Sequence, residues 1–258
     1  MTDRSYAQKL ARAAGLLKSA RHAIALTGAG ISTPSGIPDF RSAGSGMWQR
    51  DDPMEVASLS AFRYQPERFF EWVRPLARDI LEAEPNAAHR ALASLEQAGL
   101  LQGVITQNID DLHRRAGSKI ICEVHGHLRQ ATCVNCFRRY PSARLLAEFA
   151  EHGEIPRCPE CGGILKPEVV LLGEQLPYLV VQDAKALVMA SDLILVAGSS
   201  LEVTPAATFP VSALNAGASL IIVNHQPTYL DPRAEVVFRQ DVAQVLPDLA
   251  KEVLVDQA

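Results

Sequence analysis

Four cysteines in two pairs are the residues whose spacing indicates chemistry most directly. They form "CVNC", with Cys133 and Cys136, and "CPEC", with Cys158 and Cys161. Each CxxC turn can direct two thiolates at one ion, and two such turns complete a tetrahedral site. Because sulfur would fill all four positions, the pattern predicts a structural zinc ion and argues against zinc catalysis. An iron–sulfur cluster or a redox-active pair is the alternative.

Polar side chains crowd the start of "TQNIDDLHRRAGS" (106–118), directly after an apolar run that predicts a strand. They belong to Gln107, Asn108, Asp110 and Asp111. In an open α/β sheet, ligands bind at the carboxyl ends of the strands. We therefore expect a ligand site here. The alternative is an ordinary polar turn in which Asp110 caps the short helix that follows.

His125 stands in "EVHGH" (123–127), at another predicted strand end and just before the cysteine-containing segment. Clefts between domains favour ligand sites, and a histidine can take a proton from a hydroxyl group near neutral pH. His125 is therefore the candidate general base. The remaining histidines are interpreted as structural or surface residues: His22, His89, His113, His127, His152 and His225.

A glycine pair opens "GAGISTPSGIPDFRS" (28–42) after another apolar run. Gly28 and Gly30 permit positive φ and close backbone approach, so that amides can face a diphosphate, although turning the chain is sufficient reason for them. A hydride-transferring dinucleotide enzyme would carry an acidic residue about twenty positions on, at the end of a second strand. Asp51 and Asp52 stand near that distance but follow no strand, which argues against such an enzyme.

Short apolar runs alternate with helical patterns along the chain. The predicted strands are "HAIALTG", "LLQGVITQN", "KIICEVHG", "PEVVLLG", "DLILVAGSS", "SLIIVNH" and "AEVVFR". They are rich in Ile, Val and Leu with little alternation, which is typical of strands buried on both faces. Helices are predicted over 86–98 and 205–216, each stopped by a glycine. This alternation predicts an α/β fold with a doubly wound, parallel, Rossmann-like sheet.

Two segments interrupt this pattern and are predicted to be insertions. Residues 39–85 are helix-prone and aromatic, and residues 129–166 contain the paired cysteines. We therefore predict a Rossmann-like domain made of 1–38, 86–128 and 167–258, a loop and helical insertion at 39–85, and a small zinc-ribbon module at 129–166.

The composition excludes several classes of protein. With 48% hydrophobic and 21% charged residues among 258, the chain should be globular, and a net charge of −4 gives no electrostatic reason to expect nucleic-acid or membrane binding. No apolar run approaches the roughly 20 residues of a membrane span, and the amino-terminal segment lacks the apolar centre of a signal peptide. We expect a cytoplasmic monomer, with the fifth cysteine, Cys122, buried and unreactive.

Together, the motifs resemble those of the sirtuins, the NAD-dependent protein lysine deacylases. The resemblance rests on the segments already quoted and on "GEQLP" (173–177), "GSSLEVTPA" (198–206) and "IVN" (222–224), which occur in the family's order. The pattern is most similar to bacterial and archaeal deacetylase-type members. It implies that NAD is a consumed co-substrate, that the breaker-rich segment after Gly30 is a cofactor loop, and that acyl-lysine proteins or peptides are the partners.

The resemblance also implies a mechanism. The acyl oxygen of the modified lysine attacks the nicotinamide ribose as nicotinamide leaves. His125 then removes a proton from a ribose hydroxyl, the 2′-hydroxyl attacks the imidate carbon, and water releases free lysine and O-acyl-ADP-ribose. Asp110 would bind the carboxamide, Gln107 the nicotinamide ribose and Asn224 the adenosine ribose, while Phe40 would shield the reacting face.

The implied site residues fall into three sets. The catalytic residues are His125 and Asn108. The cofactor-binding residues are Gly28, Ala29, Gly30, Asp39, Phe40, Arg41, Gln107, Asn108, Ile109, Asp110, Gly198, Ser199, Ser200, Asn224 and Val242. The residues for the acyl-lysine and its peptide backbone are Val170, Leu172, Gly173, Glu174, Leu201 and Val203.

Two positions, Leu172 and His225, depart from the family pattern. Leu172 stands where the family usually has Phe, which predicts activity on butyryl or longer acyl-lysines. The Tyr–Arg pair of desuccinylating members, two residues apart, is not reproduced after Tyr64, which predicts weak desuccinylation. His225 follows Asn224 where an apolar residue is usual, without an evident reason. The alternatives are an NAD-dependent protein ADP-ribosyltransferase on the same fold, a non-catalytic zinc-dependent interaction module, and a conventional oxidoreductase.

Overall fold

The larger sheet among the described residues has six parallel strands. The structure, a computed structural model, describes residues 2–39 and 51–255, without the side chains of residues 2–4. The strands of this sheet are β1 (Ala23–Thr27), β2 (Val104–Thr106), β3 (Ile121–Glu123), β7 (Leu193–Ala197), β8 (Ser219–Val223) and β9 (Val236–Phe238). Their order across the sheet is β3-β2-β1-β7-β8-β9, and it reverses between β1 and β7, as it does in a doubly wound sheet.

Helices cover both faces of this sheet, so its strands are buried on both sides. In β1, Ala23 and Ala25 enter one hydrophobic core, whereas Ile24 and Leu26 enter the other. This explains the absence of alternation in the apolar runs. The helices are α1 (Thr2–Ser19), α2 (Pro53–Val56), α3 (Leu59–Tyr64), α4 (Pro66–Glu82), α5 (Ala87–Gln97), α6 (Leu112–Ala116), α7 (Ala143–His152), α8 (Tyr178–Ala190), α9 (Phe209–Asn215) and α10 (Val242–Leu254).

The two predicted helices differ in how closely the structure follows them. The prediction for 86–98 is confirmed: the Asn86 side chain accepts hydrogen bonds from the first turn of α5, and Gly99 follows with φ of +75°. The helix predicted over 205–216 begins instead with a 3-10 turn, Ala206–Thr208, and α9 starts only at Phe209. Pro210 lies in the first turn of α9, where its missing amide hydrogen costs no helical hydrogen bond.

A second, three-stranded antiparallel sheet holds the cysteine segment. It comprises β4 (Gly126–Cys133), β5 (Arg139–Pro141) and β6 (Leu165–Val169), in the order β5-β4-β6. It therefore extends beyond the predicted 129–166 at both ends. The region predicted as a helical insertion contains α2, α3 and α4, and α4 packs on α7. No helix within the described ranges is long and apolar enough to cross a membrane.

The prediction that "PEVVLLG" is a strand of the parallel sheet is wrong. β6 ends at Val169 and pairs with β4 in the small sheet. The apolar residues Val169 and Leu171 pack against Phe62, Phe69 and Phe70 of the helical insertion. The run is hydrophobic because it joins the two insertions to each other, not because it is a central strand.

Candidate active site

The carboxyl ends of the parallel strands bring most of the predicted site residues to one edge of the sheet. Gly28 follows β1, Gln107 follows β2, His125 follows β3, Gly198 follows β7 and Asn224 follows β8. The pairing is parallel and in register throughout, so these ends lie side by side. This is the edge at which open α/β sheets bind ligands.

Three glycines allow the loops after β1 and β7 to cross in close contact. A Cβ atom on Gly28 would lie 2.9 Å from the carbonyl oxygen of Gly198, and a Cβ atom on Gly30 would lie 2.9 Å from the Cα of Gly198. The amide of Gly28 donates to Ala197 O and that of Gly30 to Gly198 O. These two amides are therefore used within the protein, and the glycines serve close backbone approach instead of donation to a diphosphate.

The β2 loop (residues 107–111) is held against the glycine loop by side-chain hydrogen bonds. Asn108 Nδ2 donates to Gly28 O at 3.1 Å and to Ser32 Oγ at 3.0 Å. Ser32 Oγ in turn donates to Asp110 Oδ2 at 2.6 Å. The loop is thereby fixed in position before any ligand binds.

Asp110 is buried, and burial raises the pKa of its carboxyl group above the ordinary value. Its second oxygen, Oδ1, accepts the amide hydrogen of Leu112 at the start of α6. Asp110 therefore holds the start of α6, as the capping alternative predicts, and it also lines the cavity described below. Asp111, between Asp110 and α6, adopts a left-handed conformation with φ of 64°.

Gln107 carries a buried polar atom that points to a ligand. Its side-chain Nε2 is inaccessible and has no hydrogen-bond partner among the described residues. Since a buried amide without a partner costs free energy, such an atom at a cavity wall is explained when a bound molecule accepts its hydrogen bond.

His125 is oriented by the backbone of the β2 loop. Its Nδ1 lies 3.0 Å from Gln107 O. Because a carbonyl oxygen can only accept, Nδ1 carries the hydrogen and Nε2 is the basic nitrogen. The following Gly126 has φ of +79°, and a Cβ there would lie 2.1 Å from Glu168 O, so glycine is required next to this histidine.

A cavity of about 780 Å³ joins the two predicted sides of the site. Gln107, Asn108, Asp110 and His125 line it at the sheet edge. The opposite wall comes from the insertions and from the segment after β6. The predicted residues that line it are Ala29, Gln107, Asn108, Ile109, Asp110, His125, Val170, Leu172, Gly173, Glu174 and Val203.

The substrate-side wall is tied to the rest of the site by backbone hydrogen bonds. Val170 N donates to His125 O, and Leu172 forms a parallel bridge with Ser58 of the helical insertion. Glu174 accepts a hydrogen bond from Leu171 N and pairs with Lys166 at 3.0 Å, which closes the turn at Gly173. The residues predicted to contact the acyl-lysine are thus held next to the candidate base.

Several predicted residues lie outside the cavity wall. Ser199 is buried and accepts from Leu201 N, and Asn224 donates to Gln226 O. Leu201 has φ of 59° and its side chain is in the hydrophobic core, so only its backbone is available to a peptide. Val242, the first residue of α10, is also a core residue. Gly198 and Ser200 belong to the loop after β7, and Asp39 follows the cavity-lining Pro38.

Two predicted cofactor residues, Phe40 and Arg41, lie outside the described residues. The histidines interpreted as structural or surface residues behave accordingly where they are clearest. His89 and His113 are buried with ring centroids 4.8 Å apart, and His152 and His225 are exposed. Cys122 is buried, which raises the pKa of its thiol to about 11 and keeps it protonated.

Several groups of site residues were missed, and one of them is the part of the cavity wall that the helical insertion contributes, with Pro53, Met54, Ala57, Trp72, Leu76 and Ile80. Another is Ser32, which lies in the quoted glycine motif. Nothing in the sequence around it indicates its hydrogen bonds with Asn108 and Asp110. The face of α8 formed by Tyr178, Val181, Gln182 and Lys185 also lines the cavity. Its i, i+3, i+4, i+7 spacing was a readable signal, since residues so spaced share one face of a helix.

The four paired cysteines meet as predicted. Their sulfur atoms all lie within 4.8 Å of one another, with Cys133 and Cys161 3.4 Å apart and Cys136 and Cys158 3.7 Å apart. Tetrahedral zinc with Zn–S bonds of about 2.3 Å separates its sulfurs by about 3.8 Å. The group therefore suits one zinc ion, and four sulfur ligands leave no coordination position for catalysis.

Comparison with known proteins gives one consistent result. The Sir2 family model matches residues 28–205. The NAD-dependent protein deacylase 2 of Archaeoglobus fulgidus is 45% identical over 246 residues, which cover 95% of this chain and 96% of the relative. A solved Sir2 enzyme structure has 44% identity and a TM-score of 0.90, covering 95% of this chain and 98% of its own.

A second solved structure is Sir2Af2 bound to a myristoylated histone peptide. It is 38% identical, has a TM-score of 0.84, and covers 97% of this chain and 98% of its own. The fold, the cysteine group and the order of motifs at the sheet edge agree with these similarities. The chain belongs to the Sir2 family, the sirtuins.

Proposed function

We propose that the protein is an NAD-dependent protein lysine deacylase, which converts NAD and an acyl-lysine into nicotinamide, free lysine and O-acyl-ADP-ribose. The observation that supports this best is the cavity of about 780 Å³. It joins a candidate base, His125, and the side chain of Gln107, whose Nε2 has no partner among the described residues, to an apolar wall on the segment after β6. One cavity can thus receive both the nicotinamide end of NAD and a lysine bearing an acyl group.

In this reaction, the residues at the sheet edge bind and orient the nicotinamide end of NAD. Gln107 Nε2 would donate to a ribose hydroxyl. Asn108 and Asp110 belong to a loop already held by Ser32, so little freedom is lost on binding. Apolar residues next to them, such as Ile109, exclude water, which would otherwise capture the sugar carbon and waste the NAD.

His125 would act as the general base through Nε2. Its Nδ1–H donates to Gln107 O, so the ring presents its basic nitrogen and its orientation follows the β2 loop. After nicotinamide leaves, this nitrogen takes the proton from a ribose hydroxyl, which starts the attack of the 2′-hydroxyl on the imidate carbon. The predicted loss on replacing His125 is therefore a loss of deacylation.

The acyl group would occupy the apolar wall, and the range of acyl groups should extend beyond acetyl. Leu172 leaves more room than the Phe usual at its position, and a second, apolar cavity of about 90 Å³ adjoins the first. The two cavities share Leu76, Ile80, Ile109, Val169 and Leu171. Sir2Af2, which is 38% identical to this chain, binds a myristoylated histone peptide, and this supports the proposal that the present protein accepts long acyl groups.

The finer predictions from the sequence belong to the same proposal. The chain would be organised as an NAD-binding Rossmann-like domain with a helical insertion and a zinc module. It would act as a monomer in the cytoplasm on acyl-lysine proteins or peptides.

The test is product analysis with wild-type protein, NAD and an acetyl-lysine peptide. Nicotinamide, deacetylated peptide and O-acetyl-ADP-ribose should form in equal amounts, measured by mass spectrometry. Labelled ADP-ribose transferred to protein with the peptide left intact would favour the ADP-ribosyltransferase instead. No consumption of NAD by the wild-type protein with any acyl peptide would overturn the proposal.

A further inference from the structure

One arginine on β4, Arg129, forms hydrogen bonds both with the β2 loop and with the segment that contains His125. Arg129 Nη1 donates to Asp111 Oδ1 at 2.5 Å and to Glu123 Oε1 at 2.6 Å. Its Nη2 donates to the second oxygen of Glu123. Arg114 lies farther from the same two carboxylates, with its Nε 3.4 Å from Asp111 Oδ1 and its Nη2 3.7 Å from Glu123 Oε2. The guanidinium thus forms a two-oxygen pair with one carboxylate and a third bond to the other.

These carboxylates belong to two different parts of the active site. Glu123 ends β3, two residues before His125, and Asp111 ends the β2 loop. The pair between Glu123 and Arg129 closes the His125 segment (residues 123–129) on itself. The bond to Asp111 then attaches that closed segment to the β2 loop.

The backbone around Arg129 is shaped to aim its side chain at this place. The register of β4 against β6 shifts between Gly126 and Ala131, so Arg129 lies where this ladder is irregular. On the other side of β4, Ser142 donates its amide hydrogen to Arg129 O at 2.9 Å. Irregularities such as β-bulges redirect side chains next to functional sites.

The contacts are partly shielded from water. The side chain of Glu123 is 10% exposed, that of Asp111 27% and that of Arg129 32%. Removing Arg129 would leave the two carboxylates only the longer contacts with Arg114, and loss of a shielded partner costs more than loss of one in an exposed ion pair.

We propose that Arg129 is a positioning residue, which fixes His125 relative to the β2 loop; this rests on the proposed function. The β2 loop has anchors of its own, the bonds of Asn108 and Asp110 to Ser32. The His125 segment has backbone bonds, from Val124 N to Thr106 O and from Val170 N to His125 O, but the side-chain bonds that close it after His125 come from Arg129. Loss of Arg129 therefore moves the base more than it moves the loop that binds nicotinamide.

Two activities separate these effects. Exchange of labelled nicotinamide into NAD, with an acyl peptide present, needs only the first step and its reversal. Peptide deacylation also needs the base. Replacement of Arg129 by methionine should lower kcat for deacylation about ten- to a hundredfold, as expected for a small misplacement of a reacting group. Exchange should fall less than about threefold, since the β2 loop keeps its anchors.

Two further variants complete the test. Arg129→Lys keeps the charge but loses the two-pronged geometry, so it should show the same selective loss to a smaller extent, and it serves if the methionine variant does not fold. Arg139→Met is the matched control, because Arg139 lies on β5 of the same sheet and pairs with Glu168 at 3.0 Å. It should change neither activity.

Equal loss of exchange and deacylation, or no loss in either Arg129 variant, would overturn the proposal. Melting curves and zinc content, measured on all variants, show whether a loss follows from unfolding, which would lower both activities together. A wild-type protein with neither activity would instead overturn the proposed function.

Discussion

Replacement of Ala77 by leucine should shorten the acyl chains that the enzyme accepts. Ala77 is buried on α4 and lines the cavity of about 90 Å³ beside the active site. The residues around it there include Leu146 and Phe149, and Val169 and Leu171 are among the residues that line both cavities. Leucine adds three carbon atoms, which would occupy the space that the end of a longer acyl chain needs.

The size of the effect follows from the cavity volume. A methylene group is about as large as a water molecule, whose share of liquid volume is about 30 Å³, so the cavity holds roughly three methylenes. Each buried methylene contributes about 0.8 kcal/mol. An acyl chain that fills the cavity should therefore gain up to about 2.4 kcal/mol, or about fiftyfold in kcat/KM, over one that ends short of it.

The assay is a panel of peptides with acetyl, butyryl, hexanoyl and octanoyl-lysine. The wild-type protein should hydrolyse the longer chains, and Ala77→Leu should lose that activity while keeping acetyl hydrolysis as its internal control. A melting curve tests for overpacking, which typically costs about 1–3 kcal/mol. Wild-type activity confined to acetyl-lysine, or the same chain-length profile in both proteins, would refute the reasoning.

Three other predictions concern stability and specificity. Burial lowers the pKa of His89 to about 4 and that of His113 well below its ordinary 6.5, so the folded state binds fewer protons than the unfolded chain. The contribution of each histidine to the free energy of unfolding should therefore be fully present above about pH 6.5 and fall towards pH 4, by about 1.4 kcal/mol per pH unit. Melting curves at several pH values should show this fall, and an equally steep fall in His89→Gln would contradict it. Cys133→Ala or Cys158→Ala should release zinc, unfold the small sheet and weaken activity indirectly, whereas full activity and an unchanged melting curve after metal removal would count against a structural role. Succinyl-lysine should be a poor substrate in the same peptide assay, and efficient hydrolysis would show that the reading of Tyr64 and its neighbours is wrong.

Local patterns were sufficient for the parallel sheet and for the cysteine group. The strands are short runs of branched residues buried on both faces, and the paired cysteines need only two turns to converge. The order of strands then places every polar strand end at one edge. For this reason the positions of Gln107 and His125 after two predicted parallel strands were sufficient to predict that they share one site.

Features that depend on contacts between distant segments could not be predicted. The hydrophobicity of "VVLLG" fits either sheet, and only packing against the helical insertion decides it. Gly28 and Gly30 are required by the approach of Gly198, about 170 positions later in the chain. Leu201 adopts a left-handed conformation that its residue type does not favour. Such conformations are kept by surrounding contacts and cluster at functional sites.

The central claim is that one cavity uses His125 as the base of an NAD-dependent deacylation. The most direct measurement compares wild-type protein, His125→Ala and His152→Ala, with NAD and an acetyl-lysine peptide. His152 is exposed at the end of α7 and lies outside the cavity wall, so it is the matched control. We predict equal amounts of nicotinamide, free-lysine peptide and O-acetyl-ADP-ribose from the wild-type and His152→Ala proteins, and almost no deacetylated peptide from His125→Ala. Undiminished deacetylation by a folded His125→Ala protein would contradict the account.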